Sequence, residues 1–223
     1  GATPDATRPA ECVVAAGGDH LGPVRVDLAE TGAFLVAGPP RSGRSTALVT
    51  MVESLAGRAS GELPVVLLCP RPSPLRELAD LEGVIAVLST MDSSADLDEL
   101  LGGPDSTGGG PIALVVDDAE LLADGPVAPA LEHFVRYARD TGSVLIAAGT
   151  TDDLQLQRYR GWLATARRAR SGLLLTPASY VDGELFDLRL PRSTGGSAPP
   201  GRGLLVARGA CLPVQVPTAL VRS

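Results

Sequence analysis

Several stretches of this chain are apolar almost without interruption: GAFLVAG (32–38), PVVLLCP (64–70), PIALVVDDAELL (111–122, ending in acids) and SVLIAAGTT (143–151). A strand with one wet face alternates polar and apolar residues. Unbroken runs belong to strands covered on both faces, the signature of a parallel sheet sandwiched between helices. The intervening segments supply the helices. STALVTMVESLAG (45–57) places Leu48, Met51, Val52 and Leu55 on one face and stops at Gly57. PVAPALEHFVRYARDTG (126–142) carries a stripe of Leu131, Phe134, Val135 and Ala138. PLRELADL reads as a short helix, VIAVLS as a further strand, and DSSADLDELLGG as a helix capped by Asp92. CVVAAGG (12–18) and GPVRVDL (22–28) are short strands at the start. DSTGGG (105–110) reads as a turn, and the tail 172–192 and 201–217 as strands joined by the Gly/Pro-rich STGGSAPPG. The fold class expected is α/β: a central, mostly parallel sheet with helices on both faces and C-terminal β strands.

Between the first buried strand and its helix lies Gly38-Pro39-Pro40-Arg41-Ser42-Gly43-Arg44-Ser45-Thr46. Two glycines five residues apart, a cation and a hydroxyl have the spacing of a phosphate-binding loop. There, backbone N–H groups cradle phosphate oxygens and the helix N-terminus adds partial positive charge. The prolines lack an N–H but precede the amides from Ser42 to Thr46 that would do the cradling. Ser45 would offer its hydroxyl to Mg²⁺. The cation is Arg44, longer and planar where an ATPase normally has lysine. It either meets the phosphates from another angle or points away. The competing reading is a Gly-rich helix entry turn.

Asp117 and Asp118 end the strand that begins at Pro111. Asp117 would hold the Mg²⁺ water shell beside Ser45. Asp118 stands where a hydrolysing enzyme usually has the glutamate that orients water, one methylene short. The alternative for Asp118 is a helix N-cap over Ala119–Leu122.

Composition bears on these residues. The chain has no lysine and no asparagine, and all nineteen basic residues are Arg. That is the codon bias of a very GC-rich genome, as in actinobacteria, and it supplies the drift toward Arg44. It also excludes an Asn-Lys-x-Asp guanine motif, which disfavours a GTPase. The net charge is −7, which weighs against DNA as a partner despite the basic stretch RYRGWLATARRAR (158–170). Arg158, Arg160, Arg167 and Arg168 read first as a solvated helix face and second as fingers acting in trans. Trp162 reads as a core or interface anchor, His20 and His133 as isolated, and Asp96–Leu100 as a solvated face. Cys12, Cys69 and Cys211 lack zinc or disulfide spacing and are expected to be buried thiols. No apolar run is long enough to span a bilayer.

Taken together, FLVAGPPRSGRSTAL, ALVVDDAELL and FVRYARDTGSVLIAAGTTDDL resemble the FtsK/SpoIIIE-type ATPases. The ending LFDLRLPR…PPGRGLLV…VQV is similar to the multi-ATPase members, including the EccC/EssC subunits of type VII secretion. The resemblance implies a RecA-like P-loop NTPase domain over 10–217, leaving a tail over 218–223, while the polar Gly1–Pro9 reads as a linker or expression remnant. It implies ATP and Mg²⁺ as ligands, Arg136 and Arg139 as the family's helix-ending arginines, and Thr150 at the sensor position in place of the family's glutamine. It further implies a cytoplasmic module of a membrane-tethered protein, with neighbouring ATPase modules, a hexameric ring and a secreted-protein helix as partners. Every departure from the family falls on chemistry: Arg44, Asp118 and the sensor. The chain therefore resembles a later, degenerate module with a regulatory, scaffolding or recognition role. The rival expectation is an active DNA or protein translocase.

Overall fold

The computed structural model describes residues 10–18, 21–57, 63–88, 97, 100–101, 110–190, 198–207 and 209–217. One ten-stranded sheet organises them: β1 (Glu11–Gly17), β2 (Gly22–Asp27), β3 (Ala33–Ala37), β4 (Val65–Leu68), β5 (Val84–Leu88), β6 (Ala113–Val116), β7 (Val144–Gly149), β8 (Gly172–Leu175), β9 (Arg202–Ala207) and β10 (Ala210–Gln215). The spatial order is β2-β1-β10-β9-β8-β3-β7-β6-β4-β5. The strands from β8 to β5 are parallel. β9, β10, β1 and β2 extend the sheet antiparallel on the β8 side.

Strands β3, β4, β6 and β7 are buried at every residue, as their unbroken apolar runs require. Two cores lie on opposite faces. One packs helix α1 (Arg44–Ala56), through Leu48, Met51, Val52 and Leu55, against Phe34, Val36, Val115 and Ile146. The other packs α2 (Ala128–Thr141), through Leu131, Phe134, Val135 and Ala138, and Trp162 against Leu35, Leu114 and Leu145. Along each strand successive side chains serve opposite cores.

Several local expectations are corrected. PLRELADL forms only a single 3-10 turn, Pro74–Leu78, capped by Ser73. β6 stops at Val116, and Ala119–Leu122 is another 3-10 turn. In the tail only Gly172–Leu175 is strand over 172–190. Tyr180–Phe186 coils into a 3-10 helix because Ser179 and Asp182 cap it reciprocally. Two short helices follow β7: α3 (Thr151–Leu156) and α4 (Gly161–Arg167). Cys12 and Cys69 are buried, but Cys211 is exposed on the extension. Asp92, His20, residues 105–109 and 191–197 and most of 92–103 lie outside the described residues. Among the described residues no helix is long and apolar enough to cross a membrane.

Candidate nucleotide site

The carboxyl ends of the parallel strands gather the motif residues at one edge. Gly38 follows β3 directly, and a Cβ there would stand 2.4 Å from Ser42 Oγ. Gly43 has φ +98°, a conformation that a side chain would strain. The Ser42 amide donates to Pro39 O at 3.2 Å, closing the loop on itself. α1 then begins at Arg44, and no side chain caps its first-turn amides. An uncapped helix start after a glycine turn is a ready anion seat.

Because Ser45 and Asp117 must share one ion, the sequence predicts that β3 lies centrally and next to the strand ending at Asp117. The structure corrects that expectation: β7 lies between β3 and β6. The two residues still meet, because the loop rises from β3 and carries Ser45 across the end of β7. Ser45 Oγ donates to Asp117 Oδ2 at 2.9 Å. Ser73 Oγ donates to the same oxygen at 2.7 Å, and the Asp118 amide donates to Oδ1 at 3.1 Å. Asp117 is 4% exposed. A buried carboxylate with two hydroxyls on one oxygen has the donor chemistry of a Mg²⁺ water shell.

Arg44 turns toward Asp118. Its Nη2 is 3.8 Å from Asp118 Oδ1, with the two side chains 13% and 20% exposed. Its Nη1 is buried without a hydrogen-bond partner, and so is Ser42 Oγ. Asp118 holds the N-cap position of the turn Ala119–Leu122, but with φ +47° its side chain makes no capping hydrogen bond. Its carboxylate is engaged with Arg44 instead. Thr150 follows β7, and its hydroxyl donates to Asp153 Oδ2 at 2.6 Å and accepts from the Asp153 amide at 3.1 Å, capping α3.

Two residues of this site escaped the sequence reading. Ser73 is 28 residues from Ser45 in an unrelated-looking SPL turn, and nothing in its spacing marks it. Glu120 was legible as an acid two positions past Asp118, but only the left-handed turn at Asp118 aims it inward. A Cβ on Gly149 would stand 2.5 Å from Glu120 Oε2, which is buried and unpartnered. Burial pushes the Glu120 carboxyl up, with its own backbone hydrogen bond and Arg44 pulling it down. Burial, then Asp117, pushes the Cys69 thiol beneath the site up to about 11.

The basic stretch is spent within the chain. Arg158 pairs with Glu184 at 3.1 Å, Arg160 with Asp124 at 3.3 Å, and Arg170 with Asp187 at 2.8 Å. Arg167 joins Asp187 and donates to Leu185 O, while Arg168 lies exposed. Trp162 is core: fully buried, it donates to Leu122 O at 2.8 Å. His133 is exposed on α2 beside Tyr137, and Arg136 pairs with Glu132 one turn away.

No family model matches the chain. In sequence it is similar to the ESX-5 secretion system protein EccC5 of Mycobacterium tuberculosis, 28% identical over a 237-residue alignment. That alignment covers 91% of this chain and 16% of the relative, so the chain spans about a sixth of the curated relative's length. The cytoplasmic domain of the Thermomonospora curvata type VII secretion ATPase EccC matches with a TM-score of 0.75 at 23% identity, across 96% of this chain and 26% of that one. Thermomonospora curvata EccC (ATPases 2 and 3) in complex with a signal sequence peptide matches with a TM-score of 0.72 at 23% identity, across 99% and 42%. The fold is that of a P-loop ATPase domain, and the chain resembles one ATPase module of the EccC-type proteins.

Proposed function

We propose that this chain is an ATP-binding module of a longer type VII secretion-type ATPase, and that it holds nucleotide while hydrolysing it poorly. The observation that carries this is the pair of orphaned donors on the loop: Arg44 Nη1 and Ser42 Oγ, buried beside an uncapped helix start. A buried guanidinium nitrogen without an acceptor is costly, and a phosphate oxygen supplies that acceptor. The amides from Gly43 to Thr46 would line the polyphosphate, with Gly38 to Ser42 shaping the turn; the Ser42 amide, expected among the cradling groups, is spent on Pro39 O. Ser45 and Asp117 would hold the Mg²⁺, which when bound offsets phosphate charge. Asp118 is a poor base because it is short and paired to Arg44.

A module that turns over slowly works by binding. The role we infer is regulatory or scaffolding, in a ring tethered to a membrane on its cytoplasmic side; the match to about a sixth of EccC5 supports neighbouring ATPase modules in a longer chain. Recognition of a secreted-protein helix is supported by the related EccC bound to a signal sequence peptide. Net charge of −7 and internally paired arginines argue against duplex DNA.

Glu120 favours a second reading, an active translocase motor, because it places a carboxylate inside the site two residues past Asp118. One set of assays separates the two. The module should release phosphate from ATP at no more than background. It should bind a labelled substrate helix or a neighbouring module more tightly than duplex DNA at physiological salt. Robust turnover abolished by Glu120→Gln, or salt-sensitive micromolar DNA binding without peptide binding, would install the motor reading instead.

A further inference from the structure

The site described so far handles phosphates and leaves the base unassigned. On the side of β3 away from Asp117, the loop abuts the antiparallel extension. The Gly201 amide donates to Ser42 O at 2.7 Å, and a Cβ on Gly43 would stand 3.0 Å from that same nitrogen. A Cβ on Gly201 would stand 2.7 Å from Gln215 Nε2. One glycine therefore separates the phosphate loop from Gln215.

Strand directions put the same end of each neighbour here. β9 runs antiparallel to β8 and starts at Arg202, beside the end of β8. Gln215 ends β10 opposite Arg202, and Gly17 ends β1 opposite Val214. Between these ends opens a cavity of about 310 Å³, lined by Gly17, Leu21, Arg202, Pro213 and Val214 as well as Gln215.

We propose that this cavity receives the nucleobase of the bound nucleotide, and that Gln215 selects adenine over guanine. The proposal rests on the nucleotide reading above. Gln215 Nε2 donates to Pro200 O at 2.9 Å and to Val216 O at 3.1 Å. Both acceptors are carbonyls, so a flipped amide would set oxygen against oxygen. The orientation is fixed, and Oε1 keeps its lone pairs for a ligand. Adenine presents an amino donor on its six-position, which Oε1 accepts. Guanine presents a carbonyl there, and two acceptors facing each other in a partly enclosed site repel. Leu21, Pro213 and Val214 supply apolar contact for the ring. Leu21 is 76% exposed, a large apolar side chain left open to solvent that a base would cover. Arg202 offers a guanidinium plane for stacking.

The experiment compares Mg²⁺ complexes of ATP, GTP and inorganic tripolyphosphate by calorimetry on wild type, Gln215→Leu and Leu21→Ser. Wild type should prefer ATP over GTP on the order of tenfold, the worth of one charge-free hydrogen bond against a mismatch. Gln215→Leu should erase that preference, Leu21→Ser should weaken both nucleotides, and tripolyphosphate should bind all three proteins alike. Photolabelling with 8-azido-ATP should mark peptides containing Leu21 or Pro213–Val216. If tripolyphosphate binds but ATP and GTP are indistinguishable in wild type, or the label falls elsewhere, the base pocket is wrong and the phosphate site stands. If no polyphosphate or nucleotide binds, both are wrong.

Discussion

Changing Arg44 to Lys and Asp118 to Glu together is expected to raise ATP turnover on the order of a hundredfold above wild type. Arg44 and Asp118 pair at 3.8 Å in a half-dry site, and in the reading proposed above each holds the other away from catalysis. Lysine is a compact ammonium that can meet phosphate oxygens without reaching the carboxylate. Glutamate restores the missing methylene, and a carboxylate misplaced by about 1 Å costs roughly that factor. The residues are in contact, so the single changes should not add up to the double. Arg44→Lys alone leaves the base short, and Asp118→Glu alone leaves it paired. Asp118 sits at φ +47°, where Asp is better tolerated than Glu, so the double variant should also be slightly less stable. Steady-state phosphate release measures the outcome. A double variant that binds Mg-ATP but turns over no faster than wild type would show that these two positions are not the lesion.

Trp162→Ala should be the most damaging single truncation outside the loop, costing about 3–5 kcal/mol. The indole is fully buried in the core shared by α2, α4 and the sheet. Its Nε1 donates to Leu122 O, the end of the 3-10 turn that carries Glu120. Truncation therefore leaves both a cavity and an unpaired carbonyl, and it loosens the segment under Asp117 and Asp118. Denaturant unfolding should show a lower midpoint with little change in slope. A loss under about 1 kcal/mol would mean that the core closes around the gap, contrary to its tight packing.

The sheet was legible where physics writes plainly. Strands buried on both faces leave unbroken apolar runs, and β3, β4 and β7 lie within a few residues of those runs, whereas the run 111–122 outlasts β6, which ends at Val116. α1 and α2 were legible from one-face stripes and terminal glycines. The tail was harder. Tyr180–Phe186 has an apolar content that suits a strand, and only the Ser179–Asp182 capping box tips it to a 3-10 helix. The strand order was not legible. Periodicity reports burial and not neighbours, and so β7 between β3 and β6 came as a correction. The site divides the same way. Gly38 to Ser45 and Asp117 announce themselves through spacing, because a phosphate loop is a local structure. Ser73 and Glu120 join through tertiary placement and a left-handed turn at Asp118, which no spacing encodes. Gln215 has its orientation set by two carbonyls, one of them fifteen residues away, and is silent in sequence for the same reason.

The claim on which the rest depends is that the loop seats a nucleotide's phosphates through Arg44, Ser45 and Asp117. Calorimetric titration of the domain with ATP and Mg²⁺, set beside Asp117→Ala, tests it most directly. Saturable Mg²⁺-dependent binding to wild type is expected, with a loss of the Mg²⁺ dependence in the variant while the fold persists by circular dichroism. Absence of binding to the folded wild-type protein at millimolar ATP, or binding indifferent to both Mg²⁺ and Asp117, would contradict that claim.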